Sequence, residues 1–159
     1  MIDQVDKQIL ELLQEDARMP NKEIAYRVGL VPSATSERLK RLRERGFIKS
    51  FETRLDPSKV GCKLLAFVFV RTNELGGGWS TGGELAQIPE IQEVYNIAGE
   101  DCYLIKIRAH DTSALTEIIR DKVGAIKSIV STRTTIVMET YKETCRVPID
   151  IERRSSGGK

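Results

Sequence analysis

Apolar residues in the first fifty positions recur at the three-and-four spacing of a helix face. Val5, Ile9, Leu12 and Leu13 form one such set, and Asp3 just ahead of it has the side chain of a good N-cap. The spacing predicts a first helix running to about Asp16. Pro20 opens a short second helix, with Ile24, Ala25 and Val28 inward and Gly29 as its stop. The turn Gly29-Leu30-Val31-Pro32 leads into a third helix that Gly46 ends. Ala34, Thr35, Leu39 and Leu42 share one side of it, while Ser33, Ser36, Glu37, Lys40 and Glu44 share the other. Phe47, Ile48, Phe51 and Thr53 then alternate or cluster with charged residues up to Asp56-Pro57, which reads as a short β-hairpin or wing.

The pattern changes character after Gly61. Residues 64–70 are an unbroken apolar, partly β-branched run, the mark of a strand covered on both faces. A Gly-rich stretch, residues 74–83, reads as a loop with Trp79 as an anchor, and residues 84–88 begin or form a helix closed by Pro89. Strands are predicted over 91–98 and 102–109, joined by the turn Gly99-Glu100-Asp101. An amphipathic helix follows over 112–123, capped by Asp111 or Thr112, and a last strand over 129–138. The fold class is therefore α+β. A winged helix-turn-helix (residues 1–55) and a linker (56–63) precede a ferredoxin-like β-α-β-β-α-β region (64–145) and a polar tail (146–159). Two helices cover only one face of such a sheet, yet Phe67, Val68 and Phe69 put apolar groups on both, so a dimer is expected.

Charge sharpens the first half. The chain has 159 residues and a net charge of only +2, but the cations are segregated. Before Arg18 stand Asp3, Asp6, Glu11, Glu15 and Asp16 against Lys7 alone, whereas residues 18–54 hold ten cations against four acids. Clustered cations supply the sequence-independent part of nucleic-acid binding. Ser33, Thr35, Ser36 and Lys40 are the candidates for meeting base edges, and Arg41 and Arg43 for holding phosphates. Arg38 lies beside the apolar stripe, so it is open to two uses: contact with DNA, or pairing with an acid of the first helix. Lys49 and Arg54 are candidate wing contacts to the backbone.

Other chemistry finds little support. Cys62, Cys102 and Cys145 are scattered and lack C-x-x-C spacing, which fits neither a disulfide framework nor a metal site and points to a reduced, cytoplasmic protein. No apolar run is long enough to span a membrane. The Gly-rich stretch lacks the terminal G-K-[ST] of a phosphate-binding loop. His110, the only histidine, has no Ser or Cys beside it and reads as a linker or cap. No catalytic residue, cofactor or metal is predicted.

The chain resembles the Lrp/AsnC family of feast/famine regulators. The resemblance is carried by V-D-K-Q-I-L-E-L-L-Q-E-D-A-R (5–18), K-E-I-A-Y-R-V-G-L (22–30) and P-S-A-T-S-E-R-L-K-R-L-R-E-R-G-F-I (32–48). It continues through L-D-P-S-K-V-G (55–61), G-E-D-C-Y-L-I-K-I (99–107) and T-R-T-T-I-V-M-E-T-Y-K (132–142). It implies a double-stranded-DNA-binding homodimer that builds up to an octamer and responds to an amino acid. It further implies an effector region at Gly99, Glu100, Asp101, Cys102 and Tyr103, with Thr132 and Thr134 on the last strand. Cys102 stands where the family usually has an acid, with Asp101 one place earlier, and Pro20 and Val31 replace common capping serines. Two alternatives share the architecture: a sirohaem-decarboxylase-like enzyme, and a nucleoid-type protein that binds DNA with little sequence preference.

Overall fold

The carboxylate of Asp3 accepts the backbone N–H of Asp6 at 2.8 Å, and α1 (Gln4–Glu15) starts from that cap. The computed structural model describes residues 2–73 and 80–149. They fall into two compact units: residues up to Thr53 together with the segment from Glu143, and Arg54–Lys142.

In the first unit α1 is followed by α2 (Asn21–Val28) and α3 (Pro32–Glu44). Ile9, Ile24 and Leu42 are buried at its centre, ringed by Val5, Leu12, Leu13, Val28, Leu39 and Ile48. Gly29 closes α2 at φ 71°, a left-handed conformation that costs a residue with a Cβ, and sends its N–H back to the carbonyls of Ala25 and Tyr26. That sharp stop lets α3 begin three residues later.

Two expectations change here. Residues 47–55 form no strand pairing, so of the hairpin and the wing only an unpaired wing segment is present. A two-stranded ribbon with no sheet to join is marginal. Ile48 packs on the helical core, while Phe47 and Phe51 stay exposed. The second change concerns the far end of the chain. Residues 143–149, assigned from sequence to the sheet region (to 145) and the C-terminal tail (from 146), group with the helical unit, while the end of that tail lies outside the described residues. Gln14 donates to the Val147 carbonyl at 2.9 Å and accepts the Val147 N–H at 2.7 Å. Arg146 pairs with Glu11 and, at 3.6 Å, with Glu15. The acidic face of α1 thus acquires a basic strap.

In the second unit β1 (Leu64–Thr72), β2 (Ile91–Asn96), β3 (Tyr103–Ala109) and β4 (Ile129–Ile136) form one antiparallel sheet in the order β2-β3-β1-β4. This is the expected ferredoxin-like topology. α4 (Ser80–Ala86) starts earlier than predicted, because Gly82 and Gly83 are helical, while residues 74–79, with the expected anchor Trp79, lie outside the described residues. α5 (Thr112–Glu117) is capped by Asp111, which accepts the Ala114 N–H at 2.9 Å, and continues as a π-helical turn over Ile118–Val123. Ala66, Val68 and Val70 of β1 and Ile105 and Ile107 of β3 are buried with Leu85, Leu115 and Val123. Phe67 and Phe69 point the other way and are only half-buried.

Candidate nucleic-acid interface and effector region

The front of α3 is open because of its sequence. Val31 at the N-cap has no capping atom, and Pro32 has no N–H. The N–H groups of Ser33 and Ala34 therefore have no intrahelical acceptor, in contrast to the capped starts of α1 and α5. Ser33 and Ser36 are exposed beside them. One turn on, Lys40 is 74% exposed and lies 3.8 Å from Glu44. Arg41, Arg43 and Lys49 are exposed and make no ion pair among the described residues.

Two residues leave the predicted set. Thr35 is fully buried, and its hydroxyl donates to the Val31 carbonyl at 3.3 Å, so it packs the helix rather than meeting bases. Arg38 is drawn inward by the acids of α1, donating to Asp3 at 2.6 Å and Asp6 at 2.8 Å. Of its two open uses, pairing is the one realised. Arg54 is exposed directly after Thr53, as the first residue of the second unit. Sequence reading also missed a residue. Asn21, the first residue of α2, donates its side-chain amide to the Pro32 carbonyl at 2.9 Å and to Ser36 Oγ at 2.6 Å, pinning α2 to the front of α3. Its signal was faint: a single polar residue straight after Pro20.

In the second unit the turn before β3 is held by its backbone. Cys102 N–H donates to the Val70 carbonyl at 2.9 Å, and Ile97 N–H to the Cys102 carbonyl at 3.0 Å. Asp101 is paired with Arg133 at 3.0 Å, and the same guanidinium lies 4.0 Å from the centre of the Phe69 ring. Arg133 is a second residue that sequence reading passed over. Thr132 and Thr134 pair with Val70 and Val68, on the face opposite Phe69, so within one chain they and the Asp101–Arg133 pair occupy different faces. Tyr103 is buried in the core. A Cβ on Gly82 of α4 would lie 3.0 Å from its ring, so its aromatic surface is already used. Gly99 and Glu100 remain exposed. His110 is exposed beside the α5 cap, 3.1 Å from Asp111, whose carboxyl is held below the usual range by the Ala114 N–H and then by His110.

Comparison with known proteins decides the family. Residues 65–147 match the Lrp/AsnC ligand binding domain, and residues 2–49 match a winged helix-turn-helix DNA-binding domain. The chain belongs to the Lrp/AsnC family. It is 38% identical to the HTH-type transcriptional regulator FL11 of Pyrococcus horikoshii over 93% of this chain and 97% of that one. It is 34% identical to the leucine-responsive regulatory protein of Escherichia coli over 93% and 92% of the two chains. A solved feast or famine regulatory protein from M. tuberculosis, complexed with L-methionine, superimposes with a TM-score of 0.86 at 28% identity, covering 92% of this chain and 99% of that one. This Lrp/AsnC member is accordingly a transcriptional regulator with a DNA-binding helix-turn-helix. Among the described residues, no helix is long and apolar enough to cross a membrane.

Proposed function

We propose that this protein is a sequence-selective, cytoplasmic regulator that reads double-stranded DNA with α3 and is modulated by an amino acid. The observation carrying the first part is the uncapped front of α3. Small hydroxyl side chains there flank free N–H donors, and exposed cations follow within three turns. Ser33, Ser36 and Lys40 face the base edges, and Arg41, Arg43 and Lys49 hold phosphates. Mobility-shift titrations over a range of salt test this. Arg41→Ala or Arg43→Ala should weaken binding to every duplex and flatten the salt slope by roughly one unit each. An unchanged slope removes that residue from the phosphate set.

The effector reading is supported by the matched ligand-binding domain and by the relative solved with L-methionine. An amino acid carries the two charges that Asp101 and Arg133 complement, and the turn from Gly99 to Tyr103 adds backbone donors. Thr132 and Thr134, on the other face, require a second copy of the chain to share a ligand with that pair. The half-buried Phe67 and Phe69 support a dimer through the open sheet face, with further assembly to an octamer. Thermal-shift measurements against the twenty amino acids test the effector. Stabilisation by none of them at millimolar concentration overturns it.

A further inference from the structure

Glu37 is an exposed acid on the side of α3 that carries Ser33 and Lys40. Around the helix axis it lies about 40° from Ser33 and about 60° from Lys40. Its carboxylate makes no hydrogen bond or ion pair among the described residues. Two other helical acids with a cation one turn away behave differently. Glu23 meets Arg27 at 2.5 Å on α2, and Glu44 meets Lys40 at 3.8 Å on α3. Glu37 and Arg41 have the spacing and order of Glu23 and Arg27, the order that favours pairing. Arg41 instead lines a cleft with Asp3, Asp6, Arg38 and Arg45.

A carboxylate on that side of α3 has few partners to meet in a DNA groove. Phosphates repel it. An ionised carboxylate accepts hydrogen bonds and has none to give, so it gains nothing from guanine O6 and N7 or from thymine O4. What remains in the major groove are the exocyclic amines, cytosine N4 and adenine N6. Adenine sets the N7 lone pair beside its amine, against the second carboxylate oxygen, whereas cytosine has only a C–H beside N4. We infer that Glu37 is a specificity-determining residue that selects cytosine at one position of the bound DNA. With guanine or thymine opposite, the carboxylate would lose its water and face acceptors, so refusal of the wrong base adds to the bond made with the right one. This inference rests on the reading of α3 as the DNA-reading helix.

Selection from randomised duplexes with the full-length protein tests it, with Glu37→Gln, Glu37→Asp and Glu37→Ala beside the wild type. The wild type is expected to require cytosine at one position. Glu37→Gln presents a donor and an acceptor together, the complement of adenine N6 and N7, so preference at that position moves to adenine. Glu37→Asp keeps the charge and shortens the reach by one methylene, so the preference for cytosine falls by roughly tenfold while non-specific binding stays the same. Glu37→Ala levels the position and binds every duplex more tightly at low salt, because one negative charge is gone. All three should keep the wild-type thermal midpoint, since the residue is exposed. A wild-type base profile in all three, with only the general tightening in Glu37→Gln and Glu37→Ala, makes Glu37 a solvated charge and overturns the inference. So does loss of a guanine preference instead of a cytosine one, which would make Glu37 the support of a cation that reads the base. If neither these variants nor Arg41→Ala alters DNA binding, the reading of α3 itself has failed, a result distinct from both.

Discussion

Arg38→Met separates a structural cation from the phosphate-holding ones. Met keeps an apolar stem of similar length and removes the guanidinium that joins α3 to α1. Asp6 is then left 13% exposed without its partner, while Asp3 is half exposed and continues to cap α1. A charge-assisted hydrogen bond to a mostly buried carboxylate contributes about 1.5–3 kcal/mol, and the exposed Asp3 arm about 1 kcal/mol or less. A loss of about 2–3 kcal/mol is therefore expected, read as a lower urea midpoint for the helical signal in circular dichroism at neutral pH. Acid gives a second readout. The carboxyl of Asp3 is held below the ordinary carboxylate range by the Asp6 N–H first and Arg38 next. A depressed folded-state value means this stabilisation is complete above the ordinary value and is lost as pH falls through the folded one. The gap between wild type and variant should thus narrow below about pH 4. The salt slope of DNA binding by folded protein should stay at the wild-type value. An unchanged midpoint, or a slope reduced as for Arg41→Ala, refutes the assignment.

Gly82→Ala places a Cβ 3.0 Å from the Tyr103 ring, and the shift it forces should alter the near-ultraviolet dichroism of the tyrosines; a variant with the wild-type spectrum would deny the close contact. Thr35→Val removes one helix-internal hydrogen bond, so stability should fall by about 1 kcal/mol while the selected DNA sequence stays the same; a changed base preference would return Thr35 to the groove. Arg146→Glu sets a third acid against Glu11 and Glu15, lowering the thermal midpoint of the helical unit at low salt, with the difference shrinking as salt is raised. No change at low salt would mean that the strap is not held by charge.

Most of the architecture was legible because periodicity reports burial, and burial decides these elements. The three stripes around Ile9, Ile24 and Leu42 and the apolar run of β1 are core residues whose spacing survives folding unchanged. What escaped were choices made by partners distant in the chain. Helical phase already set Thr35 on the apolar side, but its short polar side chain also suited a base edge, and only its full burial decides between the two. Arg38 was left between two uses until Asp3 and Asp6 were seen within reach. Asn21 and Arg133 carried no pattern of their own, since each acts through one side-chain bond to another element. Only the hairpin form of the wing failed, because alternation in residues 47–53 supplies a strand-like face but no neighbouring strand. The strap went unread because Arg146 is complementary to acids of α1 far away in the sequence.

Arg146 and Glu11 stand 135 positions apart, and Val147 and Gln14 stand 133 apart. On the ribosome α1 therefore emerges long before the segment that closes its acidic side. Until residues 143–149 follow, a helical body that has folded stays unlatched. A protease cutting behind Lys142 would return a mature molecule to that juvenile form.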